Sequence, residues 1–223
     1  PINQIAYKHI DSTDILVVHV AYPVIPGSSS DILQSNTLLR KEIDTRIALF
    51  SVEAAEAMKV DTELSKDIKS TIAGSGGVEE ENARYVSVFM GMEWYMRGAA
   101  HPSHTIDTYI YDYQEKKLVT IEDLFKVGSP YLATLSKLAK EDLLLQSKEG
   151  DLGFIYDEKM VEDGTKPIVN NFSKVLPTDD GLMIYFDEYQ VAPYAAGPQQ
   201  VAIPYAKLRD VIDPKGVLGM YIK

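Results

Sequence analysis

Cysteine is absent from the 223 residues, which excludes disulfides, thiolate metal sites and cysteine nucleophiles. That absence is compatible with export and leaves the redox compartment open. No stretch approaches the ~18 consecutive apolar residues of a membrane-spanning helix. The chain opens at Pro1 without a positively charged segment followed by an apolar one, so a signal or anchor is expected to lie outside this sequence. Positive charge is also in deficit, with 22 Lys and Arg against 33 Asp and Glu and a formal net charge of −11. Such a field repels phosphate backbones, which argues against nucleic acid, and favours basic partners within a Debye length of roughly 8 Å. Its plainest role is solubility.

What is present belongs to a folded protein. Hydrophobic residues make up 45% and charged residues 25%, and the length suffices to bury a core without metal or disulfide staples. Ile5 to Ile10 and Asp14 to Tyr22 read as a β-hairpin around Asp11-Ser12-Thr13, ended by Pro23 to Gly27. Ser28 with Asp31 has the form of a capping box. Ile32, Leu33, Leu39, Ile43, Ile47, Phe50, Ala54 and Met58 then follow at near-helical spacing. Asp61 to Ala73 could add a helical turn or two, and Gly74-Ser75-Gly76-Gly77 reads as a flexible loop.

Val86, Val88, Met90, Met92, Trp94 and Met96 alternate along the clearest strand, and Thr105 to Tyr113 forms a second, expected to pair antiparallel with it. Thr120 to Asp123 caps a short helix containing Leu124 and Phe125. Ser129-Pro130 starts another, with Leu132, Leu135, Leu138, Ala139, Leu143 and Leu144 as its buried stripe. A short helix near 166–172, strands at 173–176, 182–186 and 200–203, and a terminal helix at 206–212 complete the reading.

Four motifs stand in a recognisable order. Arg97-Gly98-Ala99-Ala100-His101-Pro102 precedes the Tyr-rich strand, and Leu118-Val119-Thr120-Ile121-Glu122-Asp123-Leu124-Phe125 follows it. Tyr189-Gln190-Val191-Ala192-Pro193-Tyr194-Ala195-Ala196-Gly197-Pro198 comes next, and then Ile203-Pro204-Tyr205. With Tyr22-Pro23-Val24-Ile25 ahead of the long helix, the chain resembles the extracytoplasmic region of RsiV-type anti-sigma factors over nearly its whole length. Ala99 stands where that family has a second glycine, which would strain a turn requiring positive φ there. The resemblance implies an α+β fold with antiparallel sheets and packed helices, an N-terminal hairpin plus long helix followed by a larger sheet-and-helix unit. Residues 1–75 would form a PdaC-like subdomain and 76–223 an RsiV-like one, together one compact unit. It also implies an exported protein of the bacterial envelope, in the periplasm or on the outer face of the cell membrane and anchored by a further segment. Relatives either bind lysozyme or sit beside the catalytic domain of a peptidoglycan deacetylase.

Candidate contact residues follow from local chemistry. Arg97 and His101 belong to a tight loop between strands that can present side chains to a partner. His101 and His104 put two imidazoles three apart, yet a zinc hydrolase needs a third protein ligand and an open position, and spacing supplies none. Tyr189, Pro193 and Tyr194 offer aromatic area on a rigid loop, although both rings could simply pack on the sheet. The expectation is a monomeric, non-catalytic binding or sensing module without cofactor or metal, its partner a basic protein such as c-type lysozyme, or peptidoglycan. A metal-dependent envelope hydrolase using His101 and His104, and an accessory lipoprotein domain of unknown ligand, are the alternatives.

Overall fold

A computed structural model describes residues 7–60, 67–149 and 158–222. The α+β class holds. Six strands, β1 (Tyr7–Ser12), β2 (Leu16–Tyr22), β3 (Ser70–Glu81), β4 (Tyr85–Tyr95), β5 (Ser103–Asp112) and β6 (Lys117–Val119), form one sheet in sequential order. A second sheet is built from β7 (Val175–Pro177), β8 (Leu182–Phe186) and β9 (Gln199–Ile203), each antiparallel to its neighbour. The helices are α1 (Ser30–Val60), α2 (Tyr131–Glu149), α3 (Glu158–Gly164) and α4 (Tyr205–Leu208), with 3-10 turns at Glu122–Leu124, Val169–Phe172, Tyr194–Ala196 and Val217–Ile222. The chain divides into two compact units, residues 1–78 with 88–105 and residues 79–87 with 106–223.

In the first unit β1 and β2 form the expected hairpin, in register from Tyr7↔Tyr22 to Ser12↔Val17. Thr13 Oγ1 accepts the Leu16 amide at 3.1 Å and closes the turn. One pairing adds to the antiparallel expectation: β2 and β3 run parallel, from Leu16↔Ser70 to Ala21↔Ser75. A parallel pair needs a long crossover, and α1 supplies it. Ile32, Leu39, Ile43, Ile47 and Ala54 are its buried stripe, whereas Leu33 lies on the exposed side. The helix starts later than the capping box suggests, with the Ser29 carbonyl accepting from Leu33 N at 3.0 Å. Asn36 holds the incoming segment by bonding both the amide and the carbonyl of Ile25, at 2.8 and 2.9 Å.

The glycine-rich loop is a correction. Gly74 to Gly77 lie inside β3, Ser70 to Ala73 are strand as well and residues 67–69 are not helical; residues 61–66 of the expected helical extension lie outside the described residues. The boundary between 75 and 76 therefore falls within a strand. Glycine is used here for close approach rather than flexibility. A Cβ on Gly76 would overlap the Phe89 carbonyl oxygen and stand 2.9 Å from Pro23 Cβ, and one on Gly74 would overlap Met92 Sδ.

In the second unit the stripe of α2 buries Leu135, Ala139 and Leu143, and these join Leu124, Phe125, Ile184, Phe186, Val201 and Leu208 in one core. The Asp123 carboxylate accepts the Thr120 amide at 2.9 Å, the reciprocal half of the capping box. Helix α3 and the turn at Val217–Ile222 have no counterpart in the sequence reading. The terminal helix is one turn, α4, and the Val211 and Ile212 amides bond back to the Leu208 carbonyl at 3.0 Å.

The glycine argument has a direct check. Gly76→Ala is expected to lower unfolding free energy by about 1–3 kcal/mol through overpacking. Gly91→Ala, where the new methyl finds only the Ser75 oxygen at 3.8 Å, is expected to be neutral or slightly stabilising. Urea midpoints that fall equally in both variants would refute the close-packing account.

Candidate functional site

Arg97 is not presented to solvent. It is 5% exposed, its amide donates to Ser70 Oγ at 3.1 Å and its guanidinium lies against Met58. The turn it opens places positive φ at Gly98 (81°) and not at Ala99, whose amide bonds the Met96 carbonyl at 2.9 Å, so the alanine is unstrained. His101 is exposed, with Nδ1 3.0 Å from the Pro102 carbonyl oxygen. His104 Nε2 stands 3.2 Å from Glu93 Oε2. The two imidazoles thus engage different neighbours, and among the described residues no three His, Asp or Glu side chains gather as metal ligands.

The loop between β8 and β9 is different. Its base is tied at several points: Lys174 Nζ pairs with both Asp187 oxygens at 2.7 and 2.5 Å, and Val191 and Ala192 are buried. Gln190 is saturated, accepting the Asp187 amide at 3.1 Å while its own NH2 donates to the Gly164 and Asn171 carbonyls at 3.1 and 3.2 Å. Gly164 permits this approach, since a Cβ there would overlap the Gln190 carbonyl oxygen. Further on, Gln199 Nε2 donates to the Ala196 and Gly197 carbonyls at 2.7 and 3.0 Å.

On this fixed base Tyr189 is 58% exposed, Pro193 is exposed and Tyr194 is half-buried. The two rings pair with centroids 5.8 Å apart and an interplanar angle of 31°. Tyr189 adopts φ 65°, a left-handed conformation that costs a non-glycine residue on the order of 1 kcal/mol or more. The fold therefore uses backbone strain to turn an aromatic side chain outward. The structure brings the Tyr189 and Tyr194 rings together and leaves Pro193, next to Tyr194 in sequence, exposed.

A second tyrosine arrangement was not legible. In the second unit Glu80 Oε1 receives Tyr85 OH at 2.5 Å and Tyr221 OH at 2.7 Å, while the two phenol oxygens are 2.6 Å apart. Two protons serve three short contacts. Burial, with the hydrogen bond to Glu80, raises the Tyr85 hydroxyl far above its ordinary value. Burial, then the balance of bonds to Tyr85 and Glu80, pushes Tyr221 up to about 12. Tyr221 also stacks on Tyr205 at 4.1 Å, whose OH donates to the Thr178 carbonyl at 2.7 Å. The arrangement is a structural clasp, buried at Tyr85.

Comparison with known proteins follows the same segments. Residues 122–206 match the model of DUF3298, a family described as a protein of unknown function. That segment of the chain is similar to DUF3298 domains. Over 115 residues, 52% of the chain, it is 34% identical to the peptidoglycan-N-acetylmuramic acid deacetylase PdaC of Bacillus subtilis, and this match spans 24% of that enzyme. It is 24% identical to the immunogenic protein MPT64 of Mycobacterium tuberculosis over 52% of the chain and 47% of that protein. The chain thus spans from about a quarter to about half the length of these relatives. Among solved structures, a DUF3298 family member from Bacteroides fragilis aligns over 99% of both chains with a TM-score of 0.65 and 16% identity. One from Pseudomonas aeruginosa aligns over 93% of this chain and 92% of its own, with a TM-score of 0.60 and 15% identity. These two share the fold.

The clasp predicts alkaline sensitivity. An unfolded tyrosine ionises near pH 10, so the stabilisation from the raised folded values is present below pH 10 and falls as pH rises through about 12 for Tyr221. Tyr221→Phe is expected to cost about 1–2 kcal/mol at neutral pH and to flatten that alkaline loss. Denaturant unfolding at pH 7 and pH 10.5 measures both, and an unchanged alkaline slope would count against the assignment.

Proposed function

We propose that this chain is a non-catalytic binding or sensing module of the bacterial cell envelope, exported and anchored through a further segment, that engages a basic protein of the c-type lysozyme class as a monomer. The observation that carries this reading is the exposed Tyr189 ring paired with the half-buried Tyr194, on a loop whose base is saturated with hydrogen bonds. Rigid aromatic area is what interfaces use at low entropic cost. The formal charge of −11 supports a basic partner by steering, and the resemblance to RsiV-type proteins supports lysozyme in particular. His101 and His104, the pair a metal-dependent hydrolase would require, bond to separate neighbours, which favours binding over catalysis.

A second reading, an accessory domain that holds cell-wall glycan beside an enzyme, is favoured by the 34% identity to part of a peptidoglycan deacetylase. Titration calorimetry separates the two. Hen lysozyme is expected to bind this chain at low salt and more weakly at physiological salt, and Tyr189→Ala is expected to weaken binding about tenfold or more. Silence toward lysozyme together with retention on purified peptidoglycan would replace the first reading with the second.

A further inference from the structure

The second unit carries an open groove of about 400 Å³ that the tyrosine loop does not line. Its apolar side chains are Ile110, Val119, Ile121, Val169 and Val175, and the ionisable side chain among its lining residues is Glu122. Among the described residues no lysine or arginine lines it. The neighbouring carboxylate, Asp123, is committed to Lys117 at 2.8 Å and to the Thr120 amide at 2.9 Å, so Glu122 is the charge the groove offers.

Beside the groove an apolar lip stands in water. Ile168 is 52% and Val169 36% exposed, on the segment that Gln190 ties to the tyrosine loop through the Gly164 and Asn171 carbonyls. A groove that is apolar along its walls and anionic at one residue discriminates by chemistry. A neutral hydrocarbon would strip water from Glu122 without replacing it, and an anion would meet both Glu122 and the net charge of −11. A cation on an aliphatic stem satisfies walls and carboxylate together, which is how lysine and arginine side chains bury their methylenes and keep the charged head bonded. A free small cation would leave Ile168 exposed, and exposed apolar area next to a concave site marks a protein contact.

The geometry points to this groove as the seat of a lysine or arginine side chain of a protein partner, whose surface covers the Ile168–Val169 lip. The inference rests on the reading of the chain as a binding module for a basic protein, and adds a second contact to the tyrosine pair.

The test uses the full chain and two probes. In methyl NMR spectra, butylguanidinium is expected to shift Ile110, Val119 and Val175, butyrate is not, and Glu122→Gln is expected to weaken the butylguanidinium response about two- to fivefold, the range of a partly exposed ion pair. Equal shifts from butyrate, or a response indifferent to Glu122→Gln, would overturn the proposal. With hen lysozyme, Glu122→Gln and Val169→Ser are each expected to weaken binding measurably. If lysozyme binds the wild-type chain and both variants alike, the groove assignment fails while the binding-module reading stands. If lysozyme is silent but the groove selects butylguanidinium through Glu122, the groove chemistry stands and the lysozyme reading fails.

Discussion

A buried tyrosine carries a large apolar ring into the core together with one hydroxyl that must find a partner there. With fourteen tyrosines, this constraint shapes both units. In the first, Tyr22 at the end of β2 meets Asp44 on α1, fastening the crossover helix to the sheet it serves. In the second, Tyr85 and Tyr221 converge on Glu80 and Tyr205 reaches the Thr178 carbonyl. Apart from Tyr85 with Glu80, these contacts join segments 22 to 141 residues apart, so the hydroxyls specify which surfaces meet while the rings supply the buried area.

Tyr189 and Tyr194 invert that rule. Nothing prevents a β8–β9 connection from folding its aromatics onto the sheet, and the chain instead buries Val191 and Ala192 between them. The small residues anchor the loop and the large ones face out, with Tyr189 in a backbone conformation that tyrosine disfavours.

Much of the architecture was legible because periodicity reports burial. Val86, Val88, Met90 and Met92 alternate and are all buried, and the stripes of α1 and α2 largely follow their sequence spacing. What failed to show was anything set by distant neighbours. Gly74 to Gly77 have the composition of a linker, yet Gly74 and Ser75 pair with Val20 and Ala21 of β2, and Gly76 lies close to Phe89 and Pro23. Arg97 looked like a loop cation because the proximity of Ser70 and Met58 is a tertiary fact. The Glu80 clasp joins residues 136 and 141 positions apart, beyond any local pattern. The tyrosine motif could be read because its residues are contiguous, whereas the groove draws on β5, β6 and the turn at Val169–Phe172, and no run of sequence contains it.

The two candidate contacts share a logic that net charge alone does not supply. A charge of −11 spread over a surface attracts any cation within screening distance and selects none. Selection requires that the charge be paired with shape, and several carboxylates of the second unit are committed internally. Asp123 is bonded to Lys117 and Thr120, Asp112 to Arg84, and Asp187 to Lys174. Glu122, left at the mouth of an apolar groove, is then distinguished from the bulk of the acidic surface by where it stands. In the proposed reading, a diffuse field would bring a basic partner near, and the fixed ring pair with the groove carboxylate would give it one way to sit.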